Sequence, residues 1–169
     1  MNRSFDTVLF SHGKESGPWG AKITAMAAVA RGLDLSVQSV DYRGIDDPGE
    51  RVKKLVRVGL ELKEPMVLVG SSMGGHVSAA AASRLAARAV FLLAPAFYMP
   101  GFEQYTPQDV SVPIAIVHGW NDAIVPVENS IRWGREHGAA LHILNSDHRL
   151  EDQIEIICAM LREFLIALA

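Results

Sequence analysis

Short runs of β-branched and leucine-rich residues alternate along this chain with segments of helical length, and every junction carries Gly, Pro, Asn, Asp or Ser. A strand that passes through a helix before the next strand returns to the sheet parallel to its predecessor. The rhythm therefore predicts repeated βα units and a mostly parallel sheet covered by helices, a three-layer α/β/α sandwich. Six strands are expected, over residues 7–10, 35–40, 66–69, 89–93, 114–117 and 141–144, with helices over 21–31, 48–62, 73–87, 128–137 and 151–168. Asp47 before Pro48 supplies a capping side chain and then a proline at a position where its missing N–H costs nothing. In the last helix, Ile154, Ile157, Cys158, Leu161, Phe164, Leu165 and Leu168 recur at helical spacing, a face for the sheet. The same wheel leaves Ile156, Met160 and Ile166 outside that face, either as an edge partly covered by loops or as a dimer contact. Monomer and homodimer both stay open.

The chain's 169 residues suit one domain over 1–169, and 49% apolar with 21% charged residues is ordinary for a packed core. A net charge of −3, with no run of basic residues, argues against a nucleic-acid partner. No stretch approaches the length of apolar residues that a membrane span needs, and Met1 to Asp6 leads only into a six-residue strand-like run, too short for a leader. A cytoplasmic location is expected. Cys158 is the only cysteine, so the chain cannot close a disulfide on itself or build a thiolate metal cage, and its apolar neighbours suggest a buried, inert thiol.

Chemistry concentrates where the third strand meets its helix, in Val67-Leu68-Val69-Gly70-Ser71-Ser72-Met73-Gly74-Gly75. Gly-x-Ser-x-Gly between an apolar strand and an Ala-rich helix is the pattern of a nucleophile elbow. A serine hydroxyl attacks a carbonyl only when it is presented beside a base, with donors ready for the developing oxyanion, and a sharp strand-to-helix turn presents it so. Ser72 is the candidate nucleophile, and the Met73 N–H is a candidate oxyanion donor. The bland alternative is a tight turn that needs small residues for packing alone.

In a parallel sheet all strand C-termini share one edge, so residues following other strands fall beside Ser72. Asp122 follows the fifth strand in His118-Gly119-Trp120-Asn121-Asp122, and His148 follows the sixth after Asn145-Ser146-Asp147. The chain order Ser72, Asp122, His148 is that of an α/β-hydrolase triad, with His148 as general base and Asp122 as the acid that orients it. Asp122 could instead be a solvated loop residue or a helix cap, and Glu103 after the fourth strand is a rival acid. Asp147 is better placed to cap the final helix. Among the other histidines, His142 alternates within a strand, His137 ends a helix and His76 lies one turn into the nucleophile helix. His12 and His118 precede glycines at strand ends and are expected to brace loops. No histidine pair has zinc spacing.

The first strand ends in Ser11-His12-Gly13-Lys14-Glu15-Ser16-Gly17-Pro18-Trp19, a loop that lacks the Gly-Lys-Ser/Thr ending of a phosphate-binding loop. Its functional reading is that the Lys14 backbone N–H is the second oxyanion donor, with the Lys14 side chain in solvent.

These segments together, the His-Gly loop at 12 and 13, Gly70-Ser71-Ser72-Met73-Gly74, His118-Gly119-x-x-Asp122 and His148, resemble the α/β-hydrolase superfamily over nearly the whole chain. The resemblance implies a minimal α/β-hydrolase fold with sheet order 2-1-3-4-5-6 and helices on both faces, lacking the first two strands of larger members. In this it resembles small bacterial serine esterases. The Asp122 loop is also similar to that of dienelactone hydrolase-like proteins, whose namesake uses cysteine where Ser72 stands. Larger members carry a lid after the fourth strand, whereas here only residues 94–112 are available, enough for a loop or one short helix. An open apolar site is expected, with Trp19, Phe97, Tyr98, Phe102 and Trp120 as candidate pocket residues unless they pack on the sheet edge. The implied activity is hydrolysis of a small ester or thioester through an acyl-enzyme, without a cofactor or metal. Acyl transfer or amide cleavage by the same triad, and a non-catalytic binding module on this fold, remain as alternatives.

Overall fold

The computed structural model describes residues 4–169; Met1 to Arg3, part of the N-terminal stretch considered above for a leader, lie outside the described residues. Six strands form one sheet: β1 (Thr7–Ser11), β2 (Ser36–Val40), β3 (Met66–Ser71), β4 (Ala89–Leu93), β5 (Ile114–Gly119) and β6 (Ala140–Leu144). Their order is β2-β1-β3-β4-β5-β6, and every neighbouring pair is parallel. Five α-helices connect and follow them: α1 (Ala21–Gly32), α2 (Pro48–Leu62), α3 (Met73–Ala81), α4 (Val127–His137) and α5 (Ile154–Ala167). This is the expected α/β-hydrolase arrangement, with helices on both faces.

Side chains alternate across each strand, and this divides the core in two. Val8, Phe10, Val67, Val69, Phe91, Leu93, Ala115 and Val117 meet α1 and α5 on one face. Leu9, Met66, Leu68, Val90, Leu92, Ile114 and Ile116 meet α2, α3 and α4 on the other. The central strands are buried on both faces and therefore read as continuous apolar runs. On α5 the face against the sheet is Ile157, Leu161 and Leu165, each contributing about 1.5–3 kcal/mol by burial. Met160 packs partly on that core, while Ile156 and Ile166 stay exposed.

Asp47 caps α2 as expected, its Oδ1 accepting the Glu50 N–H at 2.8 Å. The nucleophile helix is shorter than the sequence predicts, ending at Ala81 rather than residue 87. Residues 82–87 tighten into turns with Ala86 at φ 47°, which bring the chain down to the start of β4. Alanines favour helix and give no stop signal, so tertiary geometry overrides propensity there. No helix among the described residues is long and apolar enough to cross a membrane.

Candidate active site

The turn from β3 to α3 is built by glycines that no other residue could replace without displacing backbone. A Cβ on Gly70 would stand 2.2 Å from the Gly74 oxygen, and one on Gly74 would stand 2.0 Å from the Ser11 oxygen at the end of β1. Between them Ser72 adopts φ 55° and ψ −120°, a strained conformation for a residue with a side chain. The surrounding backbone holds it there: the Ser72 N–H donates to Leu93 at 2.8 Å, and its carbonyl accepts from Gly75 at 2.9 Å and Ala96 at 3.0 Å. Gly75 allows the helix to meet Pro95, whose Cβ a side chain there would approach to 2.9 Å.

Three loops at the C-terminal edge bring the expected residues together. His148 Nε2 lies 3.0 Å from Ser72 Oγ, and His148 Nδ1 lies 2.7 Å from Asp122 Oδ2. Gly119 makes this possible, since a Cβ there would meet the Ser146 and Asp147 carbonyls at 2.4 and 2.6 Å and force the acid and histidine loops apart. The Asp122 side chain is fully buried, while that of His148 is 19% exposed. Burial pushes the Asp122 carboxyl up, but the Val125 N–H, His148 and the Ile124 N–H together outweigh it and hold the carboxyl below its ordinary range. An ionised carboxylate only accepts, so His148 Nδ1 carries the proton and Nε2 is free to accept from the Ser72 hydroxyl. A histidine set in this way can remove the serine proton and deliver it elsewhere.

Asp122 has a second imidazole that the sequence reading did not anticipate. His118 Nε2–H donates to Asp122 Oδ2 at 2.9 Å and to the Val125 carbonyl at 3.0 Å, and Nδ1 accepts from Ser130 Oγ at 2.7 Å. Burial lowers the pKa of this histidine. His118 does brace its loop, but it does so on the same carboxylate that His148 uses. The available signal was the spacing of four between His118 and Asp122 at a strand end.

The rival residues point elsewhere. Asp147 Oδ1 accepts the Arg149 and Leu150 N–H groups at 2.8 and 3.3 Å, and Glu103 sits exposed in a 3-10 turn, Glu103–Tyr105. His142 is exposed on β6. His137 bonds to the Trp133 and Gln108 carbonyls, and His76 is buried in α3. His12 braces its loop as expected, Nδ1–H donating to the Gly13 carbonyl at 2.7 Å and Nε2 accepting the Tyr42 N–H at 2.8 Å.

The His-Gly loop stands against the elbow, a Cβ on Gly13 meeting Ser72 Cβ at 3.5 Å. Among the described residues, the Lys14 and Met73 N–H groups donate to no backbone carbonyl. The Lys14 residue is exposed. Of the candidate pocket aromatics, Trp19 (48%), Phe102 (52%) and Trp120 (58%) are exposed on loops of this edge. Phe97 is a correction: it is fully buried, stacked on Trp133 at 4.4 Å, because the apolar slot between α3 and α4 takes its ring. Tyr98 turns to α4 as well, its hydroxyl donating to Glu136 at 2.8 Å and its ring lying beneath Arg132. No group of three or more His, Cys, Asp or Glu side chains among the described residues is placed to share a metal ion.

The model of an uncharacterised protein family, UPF0227, matches residues 7–131. A comparison with curated proteins found no match. Among solved structures, the chain is similar to a protein of Xanthomonas campestris pv. campestris assigned to the alpha/beta superfamily of hydrolases. That protein is 29% identical over 96% of this chain and 99% of its own, with a TM-score of 0.89. Est1E from Butyrivibrio proteoclasticus, which binds ferulic acid in one of its structures, superposes with a TM-score of 0.87 at 17% identity, over 96% of this chain and 88% of its own. The esterase Pf2001 of Pyrococcus furiosus superposes at 0.84 with 15% identity, over 96% and 83%.

Proposed function

The chain belongs to the uncharacterised protein family UPF0227, and we propose that it is a serine hydrolase acting on small carboxylic esters or thioesters. The observation that carries this reading is the line of contacts from Ser72 Oγ to His148 Nε2 at 3.0 Å and from His148 Nδ1 to Asp122 Oδ2 at 2.7 Å. Its structural neighbours include hydrolases and esterases, which favours ester over amide substrates.

Ser72 Oγ attacks the carbonyl carbon while His148 Nε2 takes the hydroxyl proton. The carbonyl π pair moves onto oxygen, and the resulting oxyanion sits at the N-terminus of α3, facing the Met73 and Lys14 N–H groups and the positive end of the helix dipole. Collapse of this intermediate expels the alkoxide or thiolate, which receives the proton from His148, and leaves an acyl-Ser72 ester. Water then attacks with the same histidine as base, releasing the acid and restoring the hydroxyl. Asp122 stays ionised throughout and stabilises the transient imidazolium. Substrates are small molecules that enter the edge bordered by the Trp19 and Trp120 loops.

A fluorophosphonate probe tests the nucleophile directly. Wild type should be labelled on Ser72 and should turn over p-nitrophenyl esters, and Ser72→Ala should lose both. Persistent ester hydrolysis in Ser72→Ala, or a folded wild type that resists the probe, would sink the mechanism. A panel of acyl chain lengths then ranks the substrates.

A further inference from the structure

Arg51 is a cation buried whole, 1% exposed, on the face of α2 that also carries Val52, Leu55 and Val56. Burying a guanidinium is costly unless it is paired or richly hydrogen-bonded. Among the described residues, Arg51 forms no ion pair with a carboxylate. Its partners are main-chain oxygens: Nε donates to Ile45 at 2.6 Å, and Nη1 donates to His12 at 3.3 Å and to Gly13 at 3.1 Å. The guanidinium also lies over the Tyr42 ring, 5.2 Å from its centroid.

The two carbonyls held by Nη1 belong to the loop beside Ser72. A trans peptide is planar, and its C=O and N–H point in opposite directions. The Gly13 carbonyl and the Lys14 N–H share one such plane, and the His12 carbonyl and the Gly13 N–H share the one before it. Arg51 grips both planes from the α2 side, and His12 Nδ1–H adds a second donor to the Gly13 oxygen at 2.7 Å. The N–H groups of these two planes therefore point away from Arg51, in a loop where a Gly13 Cβ would stand 3.5 Å from Ser72 Cβ.

We propose that Arg51 is a positioning residue for the oxyanion site. It fixes the Gly13–Lys14 peptide plane so that the Lys14 N–H faces the carbonyl oxygen of an acyl group on Ser72, and its charge, bound to the Gly13 oxygen, polarises that peptide and strengthens the donor. A third function follows from the same contacts: the loop is held before substrate arrives, so no reorganisation is needed as charge develops. The inference rests on the serine-hydrolase reading above.

The test compares wild type, Arg51→Lys and Arg51→Met on p-nitrophenyl acetate and against a phenylboronic acid, which forms a tetrahedral adduct on a nucleophilic serine. Removing an oxyanion donor outright lowers kcat by about 10²–10³, so a donor left in place but unheld should lower it roughly ten- to a hundredfold with KM little changed. Boronate affinity should fall with kcat, and Arg51→Lys, which keeps the charge but not the fork, should recover only part of both. Folded variants with wild-type kcat and boronate affinity, or an equal change in KM and kcat, would overturn the role of Arg51. Wild type lacking both turnover and fluorophosphonate labelling would overturn the hydrolase reading instead. Should both variants fail to fold, NMR of wild type decides: the Arg51 side-chain protons and the Lys14 amide should shift together as boronate binds, and an unmoved Arg51 refutes the proposal.

Discussion

Asp122 accepts from four donors, with Oδ1 serving the Ile124 and Val125 N–H groups and Oδ2 serving His118 and His148. Asp122→Asn keeps the first pair through its amide oxygen but turns an NH2 toward two imidazole N–H groups. Both imidazoles then lose that acceptor, but His118 keeps the Val125 carbonyl for its Nε2–H, so it is the less buried His148 that changes tautomer. The expected result is a fall in kcat on the order of 10³–10⁴-fold with the circular dichroism spectrum unchanged. A loss below about tenfold would remove Asp122 from the mechanism. Residues of this kind were legible in the sequence because their constraints are local: glycines around Ser72, and a carboxylate or imidazole just past a strand end. Arg51 was not legible. Its place beside the His12 and Gly13 carbonyls depends on how α2 packs across the sheet, and a charged residue in an amphipathic helix gives no sign that it faces inward.

At the scale of elements, the connection after β4 behaves as a strap tied to α4 and not as a free lid. Trp133 is fully buried, stacked between Phe97 and His137 at 4.4 and 3.9 Å, and its indole N–H donates to the Pro107 carbonyl at 2.6 Å. Asn129 donates to the Phe97 carbonyl at 2.8 Å, and Tyr98 reaches Glu136. Trp133→Ala removes the ring on which these contacts converge and should cost about 3–5 kcal/mol in chemical denaturation. Tyr98→Phe, at an exposed hydroxyl–carboxylate contact, should cost about 1 kcal/mol or less. Equal losses for the two would contradict an anchor centred on Trp133. Only the existence of a helix over 128–137 was legible there; that Val127, Ser130 and Trp133 of α4 face inward, and which segment covers them, is set by tertiary packing. Phe97 and Tyr98 therefore read as pocket residues because their aromatic character fits either role. The helix start at Asp47 was legible for the opposite reason, since its cap depends only on neighbours in sequence, and Asp47→Ala should lower stability by about 0.5–2 kcal/mol.

Across the whole molecule, burial lowers the pKa of three histidines, His12, His76 and His118, below their ordinary value of 6.5. In the unfolded chain each takes up a proton as the pH drops through about 6.5, while the folded chain resists doing so. The unfolded state thus binds more protons in this window, and stability must fall as the solution is acidified. The sign is opposite to that of a histidine stabilised by an ion pair. Asp122 acts in a lower window, because its depressed pKa contributes stability above its ordinary value of 3.8 that is lost as the pH drops through the folded value. His12 links the first window to the site. Its Nε2 accepts the Tyr42 N–H and its Nδ1–H donates to Gly13, so a proton on Nε2 would break the contact that fixes the ring behind the loop. Thermal melts should therefore show the Tm falling between about pH 7 and pH 5, before Asp122 takes up a proton. His76→Phe, which places an apolar ring in the buried position beside Phe97, should make that fall shallower. A Tm that holds level or rises over the same interval would show that these histidines are charged in the folded protein.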